Sequence, residues 1–380
     1  MRLTRNSLLP VPVSKPSGHN RKDARIHQGI PGIEKLPSGR LLTTWYAGGS
    51  CECRENYVLL AVSDDDGKNW QEVPAVIDPP DPDVRAFDAA LWLSPDNKLY
   101  WFWAQGCGGD DGITGISDEI FDGLVGVWFV IIENPDDAPE NFRFTAPRRI
   151  SDGIMLNKPT VLRDGTWALP CSLWSIPCAH RDFHRALNPT CGALMVVSGD
   201  QGGTFSMRGL VDVAKRPVPP SFDEHQFLEL NDGRLACYIR GLDGIGVSYS
   251  ADHGKSWSDI ERTDFPGVDT RFHIRKLASG RILLITNNST ECREKLTAFL
   301  SEDEKMEWKY QLMIDVRAGA SYPDAIEDRN HNIYIVHDRN RTQGGYIYLS
   351  RISEEDIMRG TPGNGSFLCR EISRSRNIAG

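Results

Sequence analysis

Ser63-Asp64-Asp65-Asp66-Gly67-Lys68-Asn69-Trp70 and Ser250-Ala251-Asp252-His253-Gly254-Lys255-Ser256-Trp257 share one pattern, S-x-D-x-G-x-x-W, and its reading decides the fold. Two looser copies accompany them. Ser198-x-Asp200-x-Gly202-x-x-Phe205 exchanges the last aromatic, and Ser301-x-Asp303-x-Lys305-x-x-Trp308 loses the glycine. Each copy follows an alternating or wholly apolar run, at residues 57–62, 193–197, 245–249 and 296–300. That is a strand feeding a tight turn. The Asp carboxylate accepts backbone N–H groups there, glycine supplies a positive φ, and the aromatic ring packs beneath. Four copies in one chain mean a repeat architecture.

A second pattern sets the period. Two-residue turns between β-rich runs lie at Ser38-Gly39, Asp96-Asn97, Asp164-Gly165, Asp232-Gly233, Ser279-Gly280 and Asn330-His331, spaced by 58, 68, 68, 47 and 51 residues. Such spacings suit one four-stranded blade per turn. Six turns predict an all-β, six-bladed β-propeller forming a single domain over residues 1–380. Helical periodicity is confined to short segments at 118–124 and 354–358. Two segments are left over, an expected strand at 6–13 and another at 366–372, and one of them is expected to complete a shared blade and close the ring. Trp45, Trp92, Trp101 and Trp167 read as core.

Bulk properties narrow the function. The net charge of -9 and the absence of a Lys/Arg block argue against a nucleic-acid partner or an anionic membrane surface. No apolar run reaches the length of a membrane span. The basic N-terminus lacks an apolar leader core, and nine cysteines is an odd, irregularly spaced set. Both features predict a cytoplasmic protein with reduced thiols. Cys51-x-Cys53 and His180-x-x-x-His184 do not complete a four-ligand set, so neither a metal nor another cofactor is expected. The loops at 47–56, 105–123 and 175–190, rich in Gly, Asp, His and Cys, are where chemistry is expected to sit.

Register then picks out side chains. Glu224, Arg271 and Tyr322 each lie nine residues before the second residue of their repeat's turn, so they are expected to converge on one central funnel. A phenol becomes a nucleophile when a neighbouring carboxylate takes its proton, and guanidinium groups grip a substrate carboxylate. Arg85 and Asp88 in blade two, Lys158 in blade three, and His27, Gln28 and His225 are further candidates for contact with a carbohydrate.

The run Glu224-His-Gln-Phe-Leu-Glu-Leu-Asn-Asp-Gly-Arg-Leu-Ala-Cys-Tyr-Ile-Arg240 resembles the E-x-Q-x-x-E-L-x-x-G-x-L…R segment of the sialidase (neuraminidase) superfamily, which also carries the S-x-D-x-G-x-x-W boxes. Ser321-Tyr322-Pro323-Asp324 resembles the segment holding that family's nucleophile. The resemblance implies a retaining exo-glycosidase acting on a terminal acidic sugar. Tyr322 would be the nucleophile, Glu224 its activator and Arg240 a carboxylate ligand joined by Arg271. Glu52 or Glu55 would be the acid.

One motif departs. Sialidases open with Arg-Ile-Pro, and this chain reads Gly29-Ile30-Pro31; Arg25 and Arg85 are the nearest candidates to supply the missing guanidinium. The segments 28–34, 157–160, 223–225 and 321–325 are similar to a bacterial subgroup of sialidase-like proteins. Two other readings stand beside the first. Propeller enzymes that cleave rhamnose from glucuronate use a histidine, for which His27, His225, His273 and His337 are candidates. A glycan-binding propeller without turnover is the non-enzymatic alternative.

Overall fold

A computed structural model describes residues 5–107, 125–173, 192–213, 222–265, 267–342 and 344–376. Its strands form six sheets of four, each built from consecutive strands paired antiparallel with their chain neighbours. The first strands of the blades are Gln28–Lys35, Val84–Leu93, Thr160–Val161, Gln226–Glu229, His273–Lys276 and Ala320–Glu327. They pack against one another around the axis. The fourth strands, Gln71–Ile77, Arg148–Asp152, Ser206–Val211, Glu261–Arg262, Trp308–Asp315 and Phe367–Arg374, form the outer rim. This is a six-bladed β-propeller.

All six expected turns join a first strand to a second. In each, the second residue holds a positive φ, including the non-glycine residues Asn97 (60°) and His331 (62°). The S-x-D-x-G-x-x-W boxes join third strands to fourth. In the box at 250–257, Ser250 donates to Asp252 Oδ1, which also accepts the N–H groups of Lys255 and Ser256, while Gly254 N–H donates back to Ser250 Oγ. The box glycines also let neighbouring blades approach. A Cβ at Gly67 would overlap Leu349 of blade six, and one at Gly254 would overlap Met195 of blade three. Trp45, Trp92, Trp101 and Trp167 are buried between sheets as expected.

Ring closure differs from the expectation. Residues 6–13 form no strand: Arg5–Leu8 is a 3-10 turn, and only Ser14 bridges to Val76. Phe367–Arg374 is the fourth strand of its own blade, so no blade is shared between the chain ends. Side chains do the closing. Asp324 and Asp338 of blade six accept the backbone N–H groups of Ile33 and Ile30 at 2.9 and 2.8 Å, over a joint core containing Ile33, Leu59, Val336 and Leu349. Buried carboxylates aimed at these inner-edge N–H groups satisfy donors that have no neighbouring strand to pair with.

The expected helical turn is present as Glu354–Arg359, capped by Ser353. Among the described residues, no helix is long and apolar enough to cross a membrane. Cys53, Cys171, Cys237, Cys292 and Cys369 are free thiols. The helical segment at 118–124, the loop at 175–190 and most of that at 105–123 lie outside the described residues.

Candidate functional site

Three first strands carry a bulge near their N-terminal ends, between Gly29 and Gly32, between Phe87 and Ala90, and between Ser321 and Asp324. Within each bulge one non-glycine residue is left-handed: Ile30 (φ 53°), Asp88 (46°) and Tyr322 (55°). Such a conformation costs about 1–3 kcal/mol and is kept where surrounding structure enforces it. A bulge re-aims the side chain it carries. Here it presents Asp88 and Tyr322 at one end of the axial channel, where Glu224 precedes the first strand of blade four.

The second-to-third-strand loops supply the other half. Glu52 comes from blade one, Arg240 from blade four, Arg293 from blade five and Arg341 from blade six. Arg240 Nη1 donates to the Tyr322 hydroxyl at 3.1 Å and lies 2.6 Å from Glu224 Oε1; the hydroxyl in turn donates to Glu224 Oε1 at 3.2 Å. Asp269 holds the far side of Arg240 at 2.6 Å. The Arg341 and Arg293 guanidinium groups lie 4.3 and 5.1 Å from the centroid of the Tyr322 ring. Arg240 and Glu224 are almost wholly buried, so their mutual charge is little screened.

The electrostatics divide the carboxyls. Burial, reinforced by the charges of Glu52 and Glu224, pushes Asp88 up to about 7. Burial acts against the charge of Glu52 too, but Arg341, 3.1 Å away, together with Arg85 and His27 holds it down at about 2. Burial also raises the Tyr322 phenol. Of the two glutamates considered as acids, Glu52 is therefore an ion-pair partner. Glu55 is exposed and faces the Cys53 thiol.

Several sequence candidates are occupied elsewhere. Arg271 is buried with its guanidinium toward Pro31 O and Asp324, not toward the Tyr322–Glu224 pair. Lys158 plugs the channel lower down, donating to the Ile33 and Leu91 carbonyls beside Asp324 and Glu34. Gln28 spans the closure seam between Gly345 O and the Trp45 indole. His225 is wedged between blades, bonded to Leu194 O and Ser172. Burial drives His225 and His273 down to about 4 and His27 to about 3. His337 of blade six pairs with Asp315 on the fourth strand of blade five. Arg25 is locked to Glu72 and the Asn20 carbonyl. Arg85 bonds Asn56 and stacks on Phe87 at the border of the site.

Sequence reasoning missed Arg293, Arg341, Asp269 and Asp338. Arg293, Arg341 and Asp338 share a place in or beside the second-to-third-strand loops, a signal that unequal loop lengths conceal, whereas Asp269 lies on the connection from blade four to blade five. Among the described residues, Asp315, His337 and Cys369 bring ligand atoms within 4.8 Å of one another, but Arg317 already takes both oxygens of Asp315. A cavity at the opposite mouth of the channel, lined by Lys158, Arg163, Glu229 and Lys276, contains none of the Tyr322 cluster.

Comparison with known proteins agrees with this architecture. The family model of the BNR repeat-like domain matches residues 39–335. Among solved structures, a Hadza microbial sialidase superposes with a TM-score of 0.67 at 15% identity, over 90% of this chain and 68% of that one. The NanB sialidase of Streptococcus pneumoniae gives 0.63 at 15% identity, over 90% and 70%. A protein of unknown function from Dyadobacter fermentans gives 0.62 at 16% identity, over 97% and 99%. No curated protein matches by sequence. At these identities the structural likeness speaks for the fold. With the family model spanning most of the sequence, the chain belongs to the family of BNR repeat-like domains, as a propeller of the sialidase-like kind.

Proposed function

We propose that this protein is an exo-glycosidase that removes a terminal acidic sugar, sialic acid or a close relative, with retention of configuration. The observation that carries the reading is the Tyr322 hydroxyl held between Glu224 Oε1 at 3.2 Å and Arg240 Nη1 at 3.1 Å. A buried phenol is a weak nucleophile at neutral pH, and a carboxylate in hydrogen-bond contact removes its proton as attack begins. A neutral phenol also avoids the repulsion that a carboxylate nucleophile would meet beside an anionic sugar. Sialidases depart from the usual pair of glycosidase carboxylates in this way, with tyrosine as nucleophile.

In the first step the Tyr322 oxygen bonds to the anomeric carbon, Glu224 takes the phenolic proton, and the bond to the leaving oxygen breaks. Asp88, whose carboxyl is raised to about 7, gives that oxygen its proton from its protonated form. In the second step water attacks the same carbon, Asp88 recovers a proton, and Glu224 returns one to Tyr322 as the aryl ether breaks. Arg240 and Arg293 hold the sugar carboxylate through charge-assisted hydrogen bonds. Asp88 replaces Glu52 and Glu55 as the donor in this scheme because Glu52 stays ionised against Arg341 and Glu55 is exposed beside the Cys53 thiol.

Incubation with a fluorinated sialic-acid analogue, followed by peptide mass analysis, tests the scheme. A covalent adduct on Tyr322 is expected. Turnover of a sialoside with the adduct on another residue, or with none, rejects the route.

A further inference from the structure

Gly29 lies on a buried first strand, and its φ is outside the left-handed region. Backbone conformation does not call for glycine there. Space does: a Cβ at this position would overlap Cγ and Cδ of Arg341 and lie 2.8 Å from Asp338 Oδ2. Arg341 reaches this gap from the loop that follows Ile333–Arg339 in blade six, across the seam where the ring closes. Its carbonyl accepts the Gln28 N–H at 3.2 Å, and Asn340 before it is left-handed at φ 53°.

The side chain is held by two unlike carboxylates. Asp338 is fully buried, 3.5 Å from Arg341 Nε, and fixed in turn by Ser321 at 2.9 Å and Ile30 N–H at 2.8 Å. Glu52 lies 3.1 Å from Arg341 Nη1 on a blade-one loop, with its side chain 26% exposed. Only Glu52 can be exchanged for a carboxylate arriving from solvent. The exchange keeps the guanidinium paired throughout, so no buried charge is left bare. The same guanidinium lies over the Tyr322 ring, where an anion bound to it would meet the nucleophile.

We propose that Arg341 is the adjustable arm of the anion site: Gly29 admits it, Asp338 anchors it, and Glu52 occupies it until a substrate carboxylate takes Glu52's place. The proposal rests on the acidic-sugar reading above and defines the ligand as a sugar monocarboxylate recognised through its carboxylate. Glu52 is then an internal competitor. Removing its charge tightens binding, whereas a merely structural ion pair would only lose stability.

Calorimetric titration of the full chain with N-acetylneuraminate and with its methyl ester tests this, with a thermal melt of each variant to establish folding. Wild type is expected to prefer the acid. Arg341→Ala and Gly29→Ala should each reduce that preference by roughly 100-fold, and Glu52→Gln should strengthen acid binding by roughly 3- to 10-fold. A folded Arg341→Ala that keeps the wild-type preference overturns the proposal, as does a folded Glu52→Gln that binds the acid no better than wild type. If Gly29→Ala does not fold, those two variants decide. Arg240→Ala separates the levels. If it loses the preference while Arg341→Ala retains it, the adjustable arm alone falls; if wild type shows no preference for the acid, the acidic-sugar reading falls and takes the arm with it.

Discussion

The Tyr322 hydroxyl donates to Glu224 Oε1 at 3.2 Å, although the two residues are 98 positions apart in the chain. Blades four and six deliver them to one point. Arg240, from blade four, lies against both oxygens, so the phenol, its base and one cation form a single buried unit.

Tyr322→Phe removes only the hydroxyl and leaves the ring beneath Arg341. Turnover of a sialoside is expected to fall by at least roughly 1000-fold with KM little changed, and Glu224→Gln by roughly 100- to 10,000-fold. Asp269 still pairs with Arg240 in the second variant, so both should keep the wild-type fold. Steady-state kinetics beside circular dichroism checks this; a Tyr322→Phe enzyme with wild-type kcat would end the nucleophile assignment.

Asp88 sets a pH dependence. Its carboxyl titrates near 7 in the folded protein, and the donor form is the protonated one, so the rate should fall as pH rises through about 7. Asp88→Asn should abolish that basic limb and slow poor leaving groups most. Stability carries the same sign. The unfolded chain releases this proton near pH 3.9, so between about 4 and 7 the folded state binds more protons and stability declines with rising pH. Urea unfolding across that range should show a flatter profile in Asp88→Asn.

Arg25 provides the contrast with Arg341. Its guanidinium is buried against Glu72, Tyr57 and the Asn20 carbonyl, away from Tyr322. Arg25→Met should cost about 2 kcal/mol, below the figure for a wholly buried pair because Glu72 is 34% exposed. Turnover per folded molecule should be unchanged. Urea unfolding and active-site titration measure the two quantities separately.

Gly254→Ala tests the box turns as spacers between blades. The residue sits at φ 86°, and the added methyl would meet the Met195 sulfur of the preceding blade. A loss of about 1–3 kcal/mol is expected, with kinetic constants retained. Denaturant unfolding without that loss would mean the seam relaxes more freely than its packing implies.

The fold was legible because its signals are local. A turn that needs a left-handed residue declares itself in pairs such as Ser38-Gly39, Asp96-Asn97 and Asp232-Gly233, and the Ser250–Asp252–Gly254 bonds close within a few residues. The same regular register located Glu224 and Tyr322 by counting back from their turns. Counting failed for Arg271, which occupies an equivalent position yet turns its side chain down the channel toward Asp324.

The amino-acid sequence alone determined the six blades, the box turns and the pairing of a tyrosine with a glutamate, since each depends on short-range geometry repeated from blade to blade. Only the tertiary structure brought Arg293 and Arg341 to that pair and set Glu52 against Arg341. Arg293, Arg341 and Glu52 sit on loops of unequal length, where no fixed spacing exists to read. The space for Arg341 is made by Gly29, at the other end of the chain, and a contact across the ring closure leaves no local trace in either segment.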